Sequence, residues 1–169
     1  MKLIEAMKKI KDLQRKAEDL RKKVADCSAD LDFETPQYDN QREKVESWLQ
    51  AHSDIVHEIE RLRVAIQATN LATSVTIELN GKEITKTIAA WILRRQSLAA
   101  LEEQMWGKLT DKGLKDGTVP QSDGTRKDIH VRRYYDPEKR DEKIDLFRSE
   151  PLLVDAKLEV INATTDLIE

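Results

Sequence analysis

The chain contains 169 residues, of which 39% are apolar and 36% are charged, a high charge density for a protein with one compact core. Its 29 basic and 32 acidic residues leave a net charge of −3, which excludes a general attraction for nucleic acid or for an anionic membrane. The sequence shows no apolar run of about 20 residues, no secretion signal and one cysteine, Cys27. We therefore expect a cytoplasmic protein with no internal disulfide and no membrane partner.

The first two helices are predicted from apolar residues that alternate at spacings of three and four, the pattern of a coiled-coil seam. Helix 1 is expected over residues 1–31 and helix 2 over residues 42–70, with Pro36 in the connection between them. The seam of helix 1 consists of Leu3, Ala6, Ile10, Leu13, Ala17, Leu20, Val24, Cys27 and Leu31. The seam of helix 2 consists of Val45, Trp48, His52, Ile55, Ile59, Leu62, Ile66 and Thr69. Matching seams predict two antiparallel helices.

A β-hairpin and a third helix are predicted next. Apolar and polar residues alternate over residues 74–86 around Asn80-Gly81, a residue pair typical of a two-residue hairpin turn. Helix 3 is expected over residues 86–109, with Thr85 or Thr87 as its N-cap.

The segment after helix 3 is predicted as a flexible loop over residues 110–127, because it is rich in glycine and in short polar residues. Residues 128–135 alternate with the period of a strand. We expect this strand to lie beside the hairpin and to complete a three-stranded antiparallel β element.

Helix 4 is predicted over residues 137–164, with Asp136 as N-cap and Pro137 as the first helical residue. Pro151 falls on its seam, so a kink or a break is expected near residue 151. The fold is therefore predicted to be mainly α. It would form a single elongated domain over residues 1–169, with about four long antiparallel coiled-coil helices and the small β element.

Two helices are predicted to end in the same motif, Asn-x-x-Thr. The motif places Asn70 and Thr73 at the end of helix 2, and Asn162 and Thr165 at the end of helix 4. Asparagine tolerates the left-handed conformation that terminates helices, so we interpret these four residues as helix caps. A functional pair of amides at neighbouring helix ends is the alternative interpretation.

Several short motifs, in this order and spacing, resemble a family of small bacterial proteins that is often labelled septicolysin. The motifs are Met1-Lys2-Leu3-x-Glu5-Ala6, Asp12-Leu13-Gln14, Asn70-x-x-Thr73, Gly81-x-x-Ile84-Thr85, Arg126-x-Asp128-Ile129-x-Val131, Asp136, and Asn162-x-Thr164-Thr165. Pro151 and the glycine-rich loop over residues 111–125 depart from the family pattern. The resemblance implies a helical coiled-coil core with a small β element and implies no catalytic residues. A pore-forming activity is not expected, because a secretion signal and a membrane-lining amphipathic hairpin are both missing from the pattern.

The candidate binding surface, here called the basic segment, lies on the predicted third strand and the residues before it. Basic and aromatic side chains of this kind can pair with phosphates and stack on bases. The residues are Arg126, Lys127, His130, Arg132, Arg133, Tyr134 and Tyr135. Alternation would place His130, Arg132 and Tyr134 on one face. The alternative is an edge strand whose charges prevent aggregation, with both tyrosines packed on the last helix.

Other polar residues are interpreted structurally. His52 lies on the seam of helix 2, where a polar residue fixes register. Asp54 and His57 have a metal-ligand spacing but no second copy of the motif, and Cys27 suits a buried seam position. We expect no metal and no cofactor.

Two functions are consistent with these features. The first is a non-enzymatic helical scaffold or interaction protein in which heptad-patterned helices join identical subunits into a homo-oligomer. The alternative is a protein that binds a nucleotide-like or other phosphorylated ligand, or nucleic acid, on the basic segment. A catalytic site is not expected, because no acid, base and nucleophile set can be named.

Overall fold

The computed structural model describes residues 1–168, which form two compact units. Unit 1 comprises Met1–Ser74 together with the chain from Leu158 onward, and unit 2 comprises Val75–Lys157. The architecture is mainly α, with four helical stretches and two small antiparallel β-hairpins, which confirms the predicted fold class. None of the helices within residues 1–168 is both long and apolar enough to span a membrane.

Unit 1 is built on an antiparallel helical hairpin of α1 (Leu3–Cys27) and α2 (Gln41–Ala72). Lys9 Nζ lies 2.6 Å from Glu58 Oε1. At the other end, Gln41 Nε2 donates to the backbone oxygen of Cys27 at 3.0 Å. The predicted seams supply all but one of the buried side chains of the two helices, namely Leu3, Ala6, Ile10, Ala17, Cys27, Leu62 and Thr69. The exception is Ala65, and Leu31, the last predicted seam residue, lies beyond the end of α1 and is exposed. The two seams therefore pack against each other within one chain.

The two ends of the described chain meet within unit 1. The backbone N–H of Leu3 donates to Thr165 O at 3.0 Å, and that of Leu167 donates to Met1 O at 2.7 Å. Leu3 and Leu167 are both buried. The start of α1 is therefore held by backbone hydrogen bonds as well as by its seam.

The Asn-x-x-Thr motifs end their helices through threonine. Thr73 and Thr165 each follow the last helical residue and donate their backbone N–H to the carbonyl four residues earlier, at 2.9 and 2.8 Å. Asn70 and Asn162 lie inside α2 and α5. Within residues 1–168, the non-glycine residues with a positive φ are Asn80 and Lys112. The left-handed helix stop predicted for the two asparagines is therefore wrong, because the helix continues for two more residues after each.

Unit 2 begins with the predicted hairpin. Its strands are β1 (Ser74–Leu79), whose first residue is the last of the Met1–Ser74 part of unit 1, and β2 (Lys82–Thr87). Asn80 and Gly81 have φ values of 50° and 73°, the two positive angles that a type I′ turn requires. The hydroxyl oxygens of Thr76 and Thr85 lie 2.7 Å apart across the strands, which is the register expected for a two-residue turn.

The third helical stretch contains a π-helical turn. Its parts are α3 (Ile88–Leu93), the π-helical turn (Arg94–Leu98) and α4 (Ala99–Trp106). The hydroxyl of Thr87 accepts from Ala90 N at 3.2 Å, as predicted for an N-cap. Trp91 is fully buried and donates from Nε1 to Val75 O at 3.1 Å, so the helix is anchored on the hairpin.

The predicted loop and third strand require correction. Residues 117–120 form β3 (Gly117–Pro120), which pairs antiparallel with β4 (Arg126–Ile129) in a sheet separate from the first hairpin. The chain reverses between Gln121 and Thr125, whose backbone groups are hydrogen-bonded at 2.8 Å. Local pairing costs less loop entropy than pairing with the distant hairpin. The predictions of a loop throughout 110–127, a strand over 128–135 and a three-stranded element are therefore wrong.

The last helix, α5 (Pro137–Thr164), has the predicted bounds. Asp136 Oδ1 accepts from the backbone N–H of Glu138 at 3.0 Å, in the N-terminal turn. The helix continues through Pro151, so the predicted break is wrong, and a kink there stays a prediction. Val154 and Leu158 follow the proline and are both buried, so packing offsets the lost hydrogen bond.

Candidate interaction surfaces

The structure separates the basic segment into two parts. Arg126 and Lys127 lie on β4, whereas residues 130–135 follow β4 without strand pairing. The predicted alternation that would place His130, Arg132 and Tyr134 on one strand face is therefore lost. Asp116 holds this part of the chain, since its Oδ1 accepts from Val131 N at 2.7 Å. Its Oδ2 lies 3.7 Å from His130 Nδ1.

Asp111 holds two members of the basic segment. Arg133 donates from Nε and Nη2 to the two oxygens of Asp111 at 2.8 and 2.6 Å, and Tyr135 Oη donates to Oδ1 at 2.7 Å. These hydrogen bonds, first from Arg133 and then from Tyr135, lower the pKa of Asp111 to about 2. The Arg140 guanidinium stacks 5.4 Å from the ring of Tyr135 and donates to Leu109 O. Arg133 and Tyr135 are therefore structural groups.

The other members of the basic segment face solvent. Arg126, Lys127, Arg132 and Tyr134 are exposed and make no ion pair or side-chain hydrogen bond within residues 1–168. Tyr134 is 89% exposed. Arg132 and Tyr134 line a surface depression of 320 Å³ beside Asp111. The interpretation that both tyrosines pack on the last helix is wrong for Tyr134.

A buried ion pair in unit 2 was not anticipated from the sequence. Arg94 donates from Nε and Nη2 to the two oxygens of Glu150 at 2.7 and 2.6 Å, and Glu150 is only 2% exposed. These hydrogen bonds raise the pKa of Arg94 above its ordinary value. The Arg94 guanidinium also lies 5.7 Å from the ring of Phe147. Because Arg94 begins the π-helical turn, the pair fixes that turn against α5.

The ion pair borders a cleft of 340 Å³ within unit 2. Apolar and charged side chains both line this cleft, and the charged ones include Lys82, Lys86, Glu102, Glu142 and Lys143. Within residues 1–168, no group of three or more His, Cys, Asp or Glu side chains is arranged to hold a metal ion. Since the lining carries both lysines and glutamates, its charge selects no ligand class.

Unit 1 has an exposed apolar surface on α2, separate from the buried seam, which is here called the α2 row. It is made by Leu49, Val56, Val64 and Leu71, which are 46–66% exposed. Their spacing of seven, eight and seven residues places them on one face of α2. This face differs from the seam that contacts α1. The spacing was present in the sequence but was obscured by the stronger seam.

These features define the class of the protein: a mainly α protein with an antiparallel helical hairpin, a π-helical turn and two small β-hairpins. The model of a family of unknown function, DUF6847, matches residues 10–167, and the chain belongs to that family.

A solved structure has a similar fold. It is the crystal structure of a functionally unknown conserved protein from Corynebacterium diphtheriae, with a TM-score of 0.57 and 20% identity over 99% of each chain. This similarity shows the fold alone. No curated protein matches the chain. Neither match carries the septicolysin label, so that part of the sequence resemblance is unsupported.

Proposed function

We propose that this chain is a non-enzymatic helical scaffold protein that associates with further copies of itself. The observation that carries the proposal is the α2 row, a line of exposed aliphatic side chains on a helix whose seam is already occupied. An apolar line of this kind loses its contact with water when it packs against an equivalent helix. The predicted cytoplasmic location is consistent with the single reduced cysteine.

A second copy is the occupant we propose for the α2 row. The association uses this row because the seams of α1 and α2 already pack against each other within the chain. The row alternates aliphatic side chains with polar ones at Ser53, Glu60 and Gln67, the composition of a helix interface in which polar groups set the partner and the register.

Sedimentation velocity across a concentration series tests self-association. We expect a reversible oligomer, and Val56→Lys/Val64→Lys should shift it to monomer. Lysine keeps the helix, because each new lysine stands four residues from Glu60. The matched control is Leu101→Lys/Met105→Lys, the same change at two exposed apolar residues of α4. A wild-type monomer at about 100 µM, well above the dissociation constants of stable oligomers, would overturn the proposal.

The alternative function is binding of a phosphorylated ligand or nucleic acid on the exposed part of the basic segment. It is favoured by Arg126, Lys127 and Arg132, whose charges are not neutralised within residues 1–168, next to the exposed ring of Tyr134. The triple alanine variant of the three basic residues should abolish binding of a labelled single-stranded oligonucleotide. Lys11→Ala/Lys16→Ala on α1 is the control for general charge. Equal anisotropy curves for all three proteins would remove this alternative.

A further inference from the structure

We infer that two copies pair through α2 in an antiparallel arrangement, with a two-fold axis that passes beside Glu60. The inference rests on the proposed self-association and specifies its surface and register. It follows from a symmetry in the positions of the exposed side chains on α2.

The α2 row is symmetric about Glu60. Leu49 and Leu71 lie eleven residues on either side of Glu60, and Val56 and Val64 lie four residues on either side. In an antiparallel pair centred on residue 60, Leu49 of one copy therefore faces Leu71 of the other, and Val56 faces Val64. A two-fold interface has this property, because each contact occurs twice with the partners exchanged.

Other registers bury the row less well. If the centre moves by half a heptad towards the N-terminus, Leu49 faces Val64 but Val56 faces His57. If it moves the same distance in the other direction, Val56 faces Leu71 but Val64 faces Arg63. Only two of the four aliphatic side chains then meet an apolar partner. The register centred on Glu60 is the one in which all four do, so burial of apolar area selects it.

The charges at the centre are complementary. Two Glu60 carboxylates would repel each other beside the axis, but Arg63 lies one turn further along α2. In the antiparallel pair, Glu60 of each copy is close to Arg63 of the other. Both side chains are exposed, and neither makes an ion pair or a side-chain hydrogen bond within residues 1–168. They are therefore available for two equivalent contacts between the copies.

The length of the α2 row limits the contact area between the two copies and therefore the expected affinity of the dimer. From Leu49 to Leu71 the helix rises about 33 Å, and a helix with its side chains is about 10 Å wide. One such helix face is at the small end of stable interfaces, so we expect reversible dimers in the micromolar range.

Disulfide trapping tests the register. In a Cys27→Ala background, Glu60→Cys should form a covalent dimer on mild oxidation, because this position faces its own copy across the axis. Ser53→Cys alone should not, since residue 53 faces residue 67. The Ser53→Cys/Gln67→Cys pair should form the dimer. Trapping by Ser53→Cys alone, or no trapping by Glu60→Cys in a sample that sediments as an oligomer, overturns the register while self-association stands.

A charge exchange tests the same contact without cysteines. Glu60→Arg and Arg63→Glu should each raise the dimer dissociation constant at least about tenfold, because each places like charges together across the axis. The double variant Glu60→Arg/Arg63→Glu should restore it to about the wild-type value. Absence of rescue, with unchanged helical circular dichroism, contradicts the proposed pairing. A wild-type monomer at every concentration contradicts both this inference and the proposed function.

Discussion

The two arginine–carboxylate pairs of unit 2 have the same geometry and different surroundings. In both, Nε and Nη2 of the arginine donate to the two oxygens of one carboxylate, at 2.7 and 2.6 Å for Arg94 and Glu150 and at 2.8 and 2.6 Å for Arg133 and Asp111. Glu150 is nearly inaccessible, whereas the side chains of Asp111 and Arg133 are 30% and 45% exposed. We therefore expect hydrogen bonds of the same geometry to differ in the free energy of unfolding that is lost when one member of the pair is removed.

Burial determines this difference. An unpaired charge in the interior has lost its water and has no compensating partner, so the cost of breaking the pair is dominated by the group left behind. An exposed charge is rehydrated when its partner is removed. The buried pair should hold the π-helical turn in place, and the exposed pair should only fix the path of the chain after β4.

The largest effect is expected from Glu150→Ala. This change removes the carboxylate that accepts both hydrogen bonds of the Arg94 guanidinium and leaves it with the Glu102 carboxylate, 3.9 Å from Nη1. It should lower the free energy of unfolding by about 3 kcal/mol, the low end for a broken buried pair, because Arg94 keeps this second carboxylate and some exposure to solvent. Urea denaturation followed by circular dichroism measures the change. Asp111→Ala, the matched change in the exposed pair, should shift the urea midpoint much less.

A double variant distinguishes the net contribution of the buried pair to stability from the destabilisation caused by removing only one of its members. Arg94→Leu/Glu150→Leu removes both charges together and should recover most of the stability lost in Glu150→Ala, since no isolated charge remains. Equal losses in Glu150→Ala and in the double variant would show that packing volume, rather than the uncompensated charge, causes the effect.

A smaller effect is expected from Phe147→Leu. The ring lies 5.7 Å from the Arg94 guanidinium in a partly desolvated position, so its loss should cost about 1 kcal/mol by urea denaturation. The same change in the Arg94→Leu/Glu150→Leu background should cost less, because the ring no longer faces a cation. A cost that does not depend on the background would assign the effect of Phe147 to packing alone.

The regular parts of the fold were predictable because their signals are local. The α1 and α2 seams repeat over many turns, and the Asn80-Gly81 turn requires two positive φ angles that these residues tolerate. The strand predicted over residues 128–135 failed for the opposite reason. Asp111 and Asp116 lie many residues upstream, and their contacts with Arg133 and Val131 draw the chain away from strand geometry.

The interaction surfaces were less predictable than the helices. Arg94 and Glu150 lie 56 residues apart, and neither belongs to a local motif, so only the packing of the third helical stretch on α5 brings them together. Of the basic segment, composition correctly identified a charged, exposed stretch, but it did not reveal that Arg133 and Tyr135 are bound to Asp111. Pairing between distant side chains is determined by tertiary structure, and hydrophobic periodicity predicts secondary structure only.

The smallest effect concerns the pH dependence of the exposed pair. Asp111 should titrate at about 2, below its ordinary pKa of 3.8, because the carboxylate accepts hydrogen bonds from Arg133 and Tyr135. Since the folded pKa is the lower one, the contribution of the pair is complete above about pH 4 and is lost as the pH falls towards 2. Carboxyl ¹³C chemical shifts recorded across this range measure the titration directly.

Arg133→Gln provides the control for that titration. It removes the group that lowers the pKa of Asp111 most, so the midpoint should move up towards 3.8, and Tyr135→Phe should move it by less. An unchanged midpoint in Arg133→Gln would mean that the two hydrogen bonds from Arg133 to Asp111 are not formed in solution. The Arg133–Asp111 pair would then contribute nothing to the stability of the fold. The difference in stability contribution between this pair and the buried Arg94–Glu150 pair would be larger than their similar hydrogen-bond geometry suggests.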